Sequence, residues 1–286
     1  MNFLLIVVRK WGRSLGVNKH LSRLFQKLEV ARIRKQPQIT ISRLSQGGVE
    51  IRFKDRVWTV RGETPGFFSG FESPLERGVL IHLLSGISSG AVVWDVGANV
   101  GTYTCLMASV AGESGKVYAF EPNPIACQQL RKHCLMNAAM NVEVFELALG
   151  DQVSRMDFAV ETGFTPGGHV IQKETLADGG EVFTVSLVTG DSMVTQGRSE
   201  IPDVIKVDVE GYELEVLKGM RSTLAHPQCK TVICEVHFGA LAQRGHAFVP
   251  LEIQSFLRDA GFCSLKWIDR SHLLAQKSRC PIEASP

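Results

Sequence analysis

A glycine-containing turn near the middle of the chain, within VVWDVGANVGTYT (residues 92–104), has almost the spacing of a dinucleotide-binding loop. In a G-x-G-x-x-G loop the second glycine lets the backbone approach a pyrophosphate. Here the three positions are Gly97, Asn99 and Thr102, and Gly101 is out of step. Because the Asn99 side chain would crowd a pyrophosphate, the turn fits a nucleoside ligand without phosphates. S-adenosylmethionine is the common ligand of that kind.

Two acidic residues stand where such a ligand needs them. Glu121 ends the next apolar run, where a carboxylate can accept hydrogen bonds from both ribose hydroxyls. Asp95 comes just before the turn and could hold the amino group of the methionine tail, directly or through water. The alternatives are a helix-capping role for Asp95 and a solvated strand end for Glu121. Together with Gly97 and Gly101, the two acids favour a cofactor site.

Four further residues could act on a methyl acceptor: Asp208 and Glu210 in DVIKVDVEG, and Glu235 and His237 in CEVH. Side chains two apart on a strand share a face, so each pair would point the same way if the strands stay regular to their ends. Methyl transfer from a sulfonium depends largely on positioning, but a hydroxyl acceptor also needs a base. His237 is the predicted base, oriented by Glu235 or Glu210, and the alternative is a capping histidine at a strand end. His169, in TPGGHVIQ, is a weaker candidate on a lid over the substrate.

The same four rim residues are also a plausible oxygen-and-nitrogen set for a divalent ion. Such an ion could lower the pKa of the acceptor hydroxyl in place of a general base. We place this metal mechanism below the histidine mechanism. Loss of activity on chelation and its recovery on metal add-back would contradict the metal-free version.

The rest of the chain supplies the elements that position these residues. QITISRL, GVEIRF and RVWTVRG alternate with period two and predict short strands, the last two joined by a tight turn at Lys54 and Asp55. From residue 92, apolar runs and helical segments follow the order βαβαβ, which predicts a doubly wound parallel sheet. VEVFELALG is predicted as one strand and YELEVLKGMRSTLAH as one helix. RMDFAV and EVFTVSLV predict strands in an irregular stretch over 152–202, and CSLKWI with SHLLAQ predicts a closing hairpin.

The charge of the chain is unevenly distributed. The net charge of the 286 residues is +2, too close to zero to imply polyanion binding by the whole molecule. Residues 9–35 contain nine Lys or Arg and one acid, a charge of +8 that leaves −6 for the remainder. This lead is predicted to be an amphipathic helix packed on its own domain, and a membrane-surface or partner-binding helix is the alternative.

Cysteine usage and the first residues indicate a cytoplasmic protein. The seven cysteines include no C-x-x-C pair, and several lie in apolar periodic segments, so they are predicted to be reduced core residues. The latter are Cys105, Cys127, Cys134 and Cys234. The opening MNFLLIVV is far shorter than the roughly 20 residues of a membrane span. Its basic residues follow the apolar run, the reverse of a secretory signal, so no export is predicted. Peripheral membrane contact by residues 1–35 stays an open alternative.

Several of these stretches together resemble one family. WDVGANVGTYT, VYAFEPNP, NVEVFELALGD and IPDVIKVDVEGYELEVLKGM are similar to the FkbM family of S-adenosylmethionine-dependent methyltransferases, over residues 72–237. The resemblance implies the class I methyltransferase fold, a Rossmann-like doubly wound sheet of seven strands with a terminal antiparallel hairpin. It also implies that Glu121 holds the ribose and that residues 148–151 flank the adenine. The first 70 residues and the detail of 152–202 fall outside it.

The predicted function is S-adenosylmethionine-dependent O-methylation of a hydroxyl on a small molecule or a sugar unit. Oxygen as the acceptor atom is implied by the resemblance, and the residues themselves do not exclude nitrogen. The alternative is a non-catalytic scaffold of the same fold that docks through its basic N-terminal segment. An NAD-dependent dehydrogenase comes third, disfavoured by Asn99. Nucleic acid is not expected as a partner, because the domain around the site is net acidic.

These expectations assign regions and residues. The predicted regions are a basic helical lead with short strands over 1–70, a methyltransferase domain over 71–276 and a tail over 277–286. The predicted catalytic residues are His237, Glu210 and Glu235, with no metal ligand. The predicted cofactor-binding residues are Asp95, Gly97, Ala98, Asn99, Gly101, Thr104, Glu121, Pro122, Ala148 and Asp208.

Overall fold

The structure is a computed structural model that describes residues 39–45, 47–63, 67–68, 71, 76–160, 181–246 and 248–277. The basic lead over 1–35, the candidate His169 and all of the tail beyond residue 277 lie outside the described residues. Within the described ranges, no helix combines the length and the apolar composition that crossing a membrane requires.

The three strands predicted near the start form a small antiparallel sheet. They are β1 (Ile39–Leu44), β2 (Gly48–Phe53) and β3 (Arg56–Arg61), in that spatial order. Lys54 adopts a φ of +56° in the turn between β2 and β3, as tight hairpin turns require. The predicted hairpin is therefore confirmed.

A seven-stranded sheet forms the centre of the fold. In spatial order its strands are β12 (Ser264–Trp267), β13 (His272–Gln276), β11 (Thr231–Glu235), β10 (Val204–Val207), β4 (Val92–Val96), β5 (Lys116–Phe120) and β6 (Val142–Phe145). The five strands from β11 to β6 are parallel, and β13 is antiparallel to both of its neighbours. This is the strand order of the class I methyltransferase fold, so the predicted fold class and closing hairpin are confirmed. The winding direction reverses between β4 and β10, where ligands bind in open α/β sheets.

Helices precede or connect the strands of the large sheet. They are α1 (Arg77–Gly86), α2 (Thr102–Ala111), α3 (Pro124–Met136), α4 (Gly190–Thr195), α5 (Glu213–Lys218), α6 (Arg221–Ala225), α7 (Phe238–Gln243) and α8 (Val249–Asp259). The side chain of Asn123 accepts hydrogen bonds from the first N–H groups of α3, and Pro124 occupies its first turn. At its C-terminus, α2 ends at Gly112, which has a φ of +71°.

Two sequence predictions about elements are wrong. VEVFELALG forms β6 and a separate strand, β7 (Ala148–Leu149), because β7 pairs with β9 (Glu181–Val188) of the inserted stretch rather than with the large sheet. The helix expected over 212–226 is divided into α5 and α6. The division lies at Gly219, where an added Cβ would come within 1.8 Å of the Gly150 carbonyl oxygen. Only glycine allows the two backbones to approach this closely, and α5 ends beside this contact.

The inserted stretch contributes a third sheet. The predicted strands RMDFAV and EVFTVSLV are confirmed as β8 (Ser154–Val160) and β9, which pair antiparallel. The spatial order of this sheet is β7-β9-β8. The short parallel pairing of β7 with β9 therefore attaches the insertion beside the end of β6.

The core lies on both faces of the large sheet. Strand β4 gives Val93 to one hydrophobic cluster and Trp94 to the other, and both side chains are fully buried. The first cluster also contains Val49 and Val60 of the small antiparallel sheet together with Leu106 of α2. The described part of the N-terminal region thus shares a core with the sheet, and the boundary at residue 70 stays a prediction.

The cysteines differ in part from expectation. The four cysteines that we singled out in apolar segments are free and buried, as predicted. Cys263, in contrast, is disulfide-bonded, so the prediction that all cysteines are reduced is wrong for this residue. Disulfide pairing depends on which residues the fold brings together, and no spacing motif marks it in this chain.

Candidate active site

The turn between β4 and α2 is held in shape by two glycines. Gly97 has a φ of +83°, and an added Cβ would lie 1.8 Å from the backbone oxygen of Asp208. Gly101 has a φ of +88°, and its added Cβ would meet Leu130 of α3 at 2.2 Å. Gly101 therefore allows the turn to approach α3 closely. Asn99, between them, also adopts a left-handed φ of +50°.

Glu121 follows β5 and turns its carboxylate toward this turn. Its Oε2 accepts a hydrogen bond from the backbone N–H of Asn99 at 2.8 Å, and its Oε1 accepts one from that of Asn123 at 2.9 Å. Burial raises the pKa of Glu121 to about 7, although the two N–H donors oppose the rise. The carboxylate is thus fixed in place while its remaining acceptor positions can meet a ligand.

A cleft opens above these groups at the carboxyl ends of the parallel strands. It contains about 770 Å³ of empty space that continues into solvent. Among the residues predicted from the sequence, those lining it are Gly97, Asn99, Glu121, Pro122, Ala148, Asp208 and Glu210. Those that we missed include Val209 and Tyr212 after β10, and Met156 and Leu187 from β8 and β9. Met156 and Leu187 could not be assigned to the cleft from the sequence, because the position of the small sheet relative to the cleft was not predicted.

Asp95 does not line the cleft. Its side chain is fully buried beneath the turn, where Oδ2 accepts a hydrogen bond from Thr104 Oγ1 at 2.6 Å. Its Oδ1 lies 3.9 Å from the ammonium of Lys206 and has no hydrogen-bond partner among the described residues. Burial raises the pKa of Asp95, and Lys206 and Thr104 oppose that rise. Thr104 is equally buried, so neither predicted cofactor residue reaches the cleft surface.

Asp208, Glu210 and His237 converge at the neighbouring edge. Strand β10 ends at Val207, and Glu210 has a φ of +53°, so our argument from alternating strand residues does not hold. The loop nevertheless brings both carboxylates to the histidine. Nε2 of His237 lies 3.6 Å from Asp208 Oδ1 and 3.1 Å from Glu210 Oε2. Asp208, Glu210 and His237 thus come together as predicted, but the loop after β10 brings them together and not the alternation of side chains along a strand.

The other ring nitrogen of His237 has a partner that sequence reasoning missed. Nδ1 lies 2.7 Å from Oε1 of Glu213, a fully buried residue at the start of α5. Burial opposes protonation of His237, but the hydrogen bond to Glu213 and the charges of Asp208 and Glu210 raise its pKa to about 9. The signal that could have found Glu213 is its place in KVDVEGYE (residues 206–213), part of a stretch that resembles the FkbM family.

Glu235 takes a different partner from the one expected. Its Oε2 lies 3.2 Å from Nε2 of His272, and its Oε1 accepts a hydrogen bond from Ser271 Oγ at 3.1 Å. The other nitrogen of His272 lies 2.8 Å from Asp269 Oδ2. Burial opposes protonation of His272, but Asp269 and Glu235 raise its pKa to about 10. The expectation that Glu235 orients His237 is therefore replaced by a Glu235–His272–Asp269 chain.

Three of the four rim residues come close enough to share an ion. One potential ligand atom each from Asp208, Glu235 and His237 lies within 4.8 Å of the other two. Two buried cations already contact this group, because Lys206 Nζ lies 3.0 Å from Asp208 Oδ2 and His272 lies against Glu235. Burial lowers the pKa of Lys206, but Asp208 and Asp95 outweigh this and raise it overall.

Known proteins resemble this chain over the region just described. The family model of the methyltransferase FkbM domain matches residues 95–263. A hexuronic acid methyltransferase, AglP of Haloferax volcanii, is 35% identical over 57% of this chain and 63% of its own length. The 31-O-demethyl-FK506 methyltransferase FkbM of Streptomyces tacrolimicus is 30% identical over 56% of this chain and 73% of its own.

A solved structure was also found, the methyltransferase FkbM of Methylobacillus flagellatus. It shares 17% identity and a TM-score of 0.44, over 65% of this chain and 43% of that one. This chain spans less than two thirds of the length of AglP. The domain match covers more than half of the chain and includes the turn, Glu121 and the histidine edge. The chain belongs to the FkbM methyltransferase domain family.

Proposed function

We propose that this chain binds S-adenosylmethionine in the cleft and transfers its methyl group to a hydroxyl oxygen of a saccharide or small molecule. Membership of the family supports the reaction class. The observation that carries the proposal is the Glu121 carboxylate, fixed by the N–H groups of Asn99 and Asn123 within the cleft. A carboxylate so placed is suited to accept hydrogen bonds from the two hydroxyls of a ribose.

The cleft residues suit the parts of this ligand. Apolar walls that include Phe120, Leu147, Leu149 and Leu187 fit the adenine ring. The acidic edge at Asp208 fits the positively charged methionine portion. Asp95, in our proposal, supports the site from below by holding Thr104 and Lys206 rather than by touching the ligand.

The reaction at the histidine edge is a displacement at carbon. When bound, S-adenosylmethionine supplies a methyl group on a sulfonium, a good leaving group. The acceptor oxygen forms the new bond to the methyl carbon, and the electrons of the broken carbon–sulfur bond stay on sulfur. In our proposal, Nε2 of the neutral form of His237 receives the hydroxyl proton, because it is the basic atom that faces this edge. Since the pKa of His237 is raised to about 9, the neutral form is the minor one at pH 7, and turnover should rise as the pH approaches 9. Glu210 and Asp208 stabilise the imidazolium that results.

The acceptor class rests on the relatives. AglP is named for a hexuronic acid and FkbM of Streptomyces tacrolimicus for 31-O-demethyl-FK506, which supports oxygen as the acceptor atom. Carboxylates at the edge, including Glu76, Asp208, Glu210 and Glu235, disfavour a polyanion such as nucleic acid. A cytoplasmic location stays a prediction of the sequence.

A divalent ion held by Asp208, Glu235 and His237 is the second candidate mechanism, favoured by the short distances among their ligand atoms. We place it second because Lys206 and His272 already supply positive charge to two of these carboxylates. Treatment with EDTA followed by Mg²⁺ or Mn²⁺ separates the mechanisms. Activity that is lost and then restored would support the ion and contradict proton transfer by the protein alone.

Calorimetric titration tests the cofactor assignment. S-adenosylmethionine and, separately, NAD are titrated into the wild type, Glu121→Ala and the control Glu146→Ala, whose exposed carboxylate pairs with Arg131. We expect saturable binding of S-adenosylmethionine alone, weakened at least about tenfold by Glu121→Ala and unchanged by Glu146→Ala. A folded wild type that binds only NAD, or neither ligand, would contradict the proposal.

A further inference from the structure

Glu213 is a buried acid that the sequence analysis did not use. It is the first residue of α5, and its side chain is fully shielded from solvent. Oε1 accepts a hydrogen bond from the backbone N–H of Gly211 at 2.8 Å and lies 2.7 Å from Nδ1 of His237. Oε2 has no hydrogen-bond partner among the described residues. A buried carboxylate is costly unless it is paired, so the histidine is its main source of compensation.

The ring of His237 has two different sides. Behind it, Nδ1 meets the buried Glu213. In front, Nε2 lies near Glu210 and Asp208, whose side chains are partly exposed at the edge of the cleft. Asp208 also lines the cleft itself. Only Nε2 is therefore placed to meet an acceptor.

We propose that Glu213 is the positioning residue of His237, accepting the Nδ1–H hydrogen bond so that Nε2 faces the methyl acceptor. This inference rests on the proposed function, because the group that Nε2 would serve is the acceptor hydroxyl. A neutral histidine can carry its proton on either nitrogen, and a hydrogen bond to one nitrogen selects the form in which the other is the acceptor. Glu213 never touches the acceptor in this arrangement and acts only through the ring.

The contact between Glu213 and Nδ1 also affects the proton affinity of His237. Glu213 faces the ring from α5, while Asp208 and Glu210 face it from the loop after β10. Glu235 of β11 completes the surrounding acids, and the nearby cations are Lys206 and His272. Because Glu213 lies closest to the ring, removing its charge has the largest effect on the proton affinity of His237.

Two glutamine variants on the same helix provide the test. Glu213→Gln keeps an oxygen that can accept from Nδ1 and Gly211, and the lost Oε2 breaks no hydrogen bond among the described residues. Glu215→Gln makes the same charge change at a partly exposed position of α5. Nitrogen NMR of labelled histidine, recorded in EDTA to remove metal ions, reports both the titration midpoint of His237 and the tautomer of its neutral form.

The expected results are specific to a positioning role. In the wild type, His237 titrates near pH 9, and its neutral form carries the proton on Nδ1. Glu213→Gln lowers the midpoint by about one pH unit or more, a tenfold loss of proton affinity, while Glu215→Gln leaves it unchanged. Glu213→Ala, which removes the acceptor as well, shifts the neutral form toward the Nε2–H tautomer.

Titration of S-adenosylmethionine into each variant separates two kinds of failure. We expect equal affinity in the wild type, Glu213→Gln and Glu215→Gln, because Glu213 does not line the cleft. An unchanged His237 midpoint and tautomer in both Glu213 variants, with cofactor binding intact, would overturn this inference alone. A folded wild type that does not bind S-adenosylmethionine would overturn the proposed function and, with it, the purpose assigned to Nε2.

Discussion

At the end of the cleft that we propose for the cofactor, here the cofactor end, one carboxylate, Glu121, meets two backbone N–H groups. At the end that we propose for the methyl acceptor, here the acceptor end, the ring of His237 meets three carboxylates. The first arrangement depends on the path of the backbone through a short turn. The second depends on side chains that arrive from separate loops. We therefore expect the cofactor end to be most sensitive to substitutions that alter the backbone, and the acceptor end to be most sensitive to substitutions that alter charge.

The largest effect is expected from a methyl group added to the turn. Gly97→Ala should lower the free energy of unfolding by about 4 kcal/mol or more, because its Cβ would overlap the Asp208 backbone. Gly197→Ala is the matched control, since its φ is also positive but nothing lies within 4 Å. That control should cost only about 1 kcal/mol. Equal urea denaturation curves for the two variants would show that the close approach to Asp208 is not important.

Removing the ring at the acceptor end should damage turnover and spare binding. His237→Ala is expected to reduce kcat about 10²- to 10⁴-fold, the usual contribution of general base catalysis, with the Kd for S-adenosylmethionine within about twofold. The measurement is S-adenosylhomocysteine formed with a sugar acceptor. His246→Ala, at an exposed histidine, is the control. A kcat that survives in His237→Ala would contradict the proposed base.

A pH effect of intermediate size should distinguish the cofactor end. Because the pKa of Glu121 is raised to about 7, its ionised form declines as the pH falls below 7. Affinity for S-adenosylmethionine should therefore drop about five- to tenfold between pH 8 and pH 6. Glu121→Gln cannot ionise and should bind weakly but without this dependence. A wild-type affinity that is flat over the same range would contradict the role of the carboxylate.

The smallest effect concerns the wall that comes from the inserted sheet. Met156→Ala should weaken S-adenosylmethionine binding about three- to fivefold, because it removes apolar surface that the ligand would cover. Val153→Ala, at a side chain that is 70% exposed, should change nothing. Identical calorimetric affinities for both variants would show that the insertion contributes no wall to the bound cofactor.

The clustering of residues at the cofactor end could be predicted because they are close in the sequence, while their binding role stays a prediction. Gly97, Asn99 and Gly101 belong to one turn, and Glu121 ends the adjacent strand, so pattern and spacing were enough. The burial of Asp95 could not be predicted in the same way. Its burial depends on β10, whose Lys206 lies opposite Asp95 in the sheet although it is far away in the chain. Tertiary packing of this kind leaves no local mark in the sequence.

At the acceptor end, the residues that meet could be predicted, but the contacts among them could not. His237, Asp208 and Glu210 were predicted to meet, and they do. The reason given was wrong, because the strands end earlier than the hydrophobic pattern indicates. Which acid holds which nitrogen depends on loop conformation, including the left-handed backbone of Glu210. The sequence could therefore identify the group but not its internal pairing, and Glu213 was assigned no role.

The two-residue pairing of β7 with β9 has a consequence for engineering this protein. Through that pairing the inserted sheet supplies Met156 and Leu187 to the cleft, so the segment is not an independent cassette. A graft that exchanges it to obtain a new acceptor would also exchange part of the wall of the proposed nucleoside site. Chimeras should therefore keep the side chains of Met156 and Leu187 and exchange only the residues between them. The part of the insertion that can be replaced is thus defined by these two residues and not by the ends of the inserted segment.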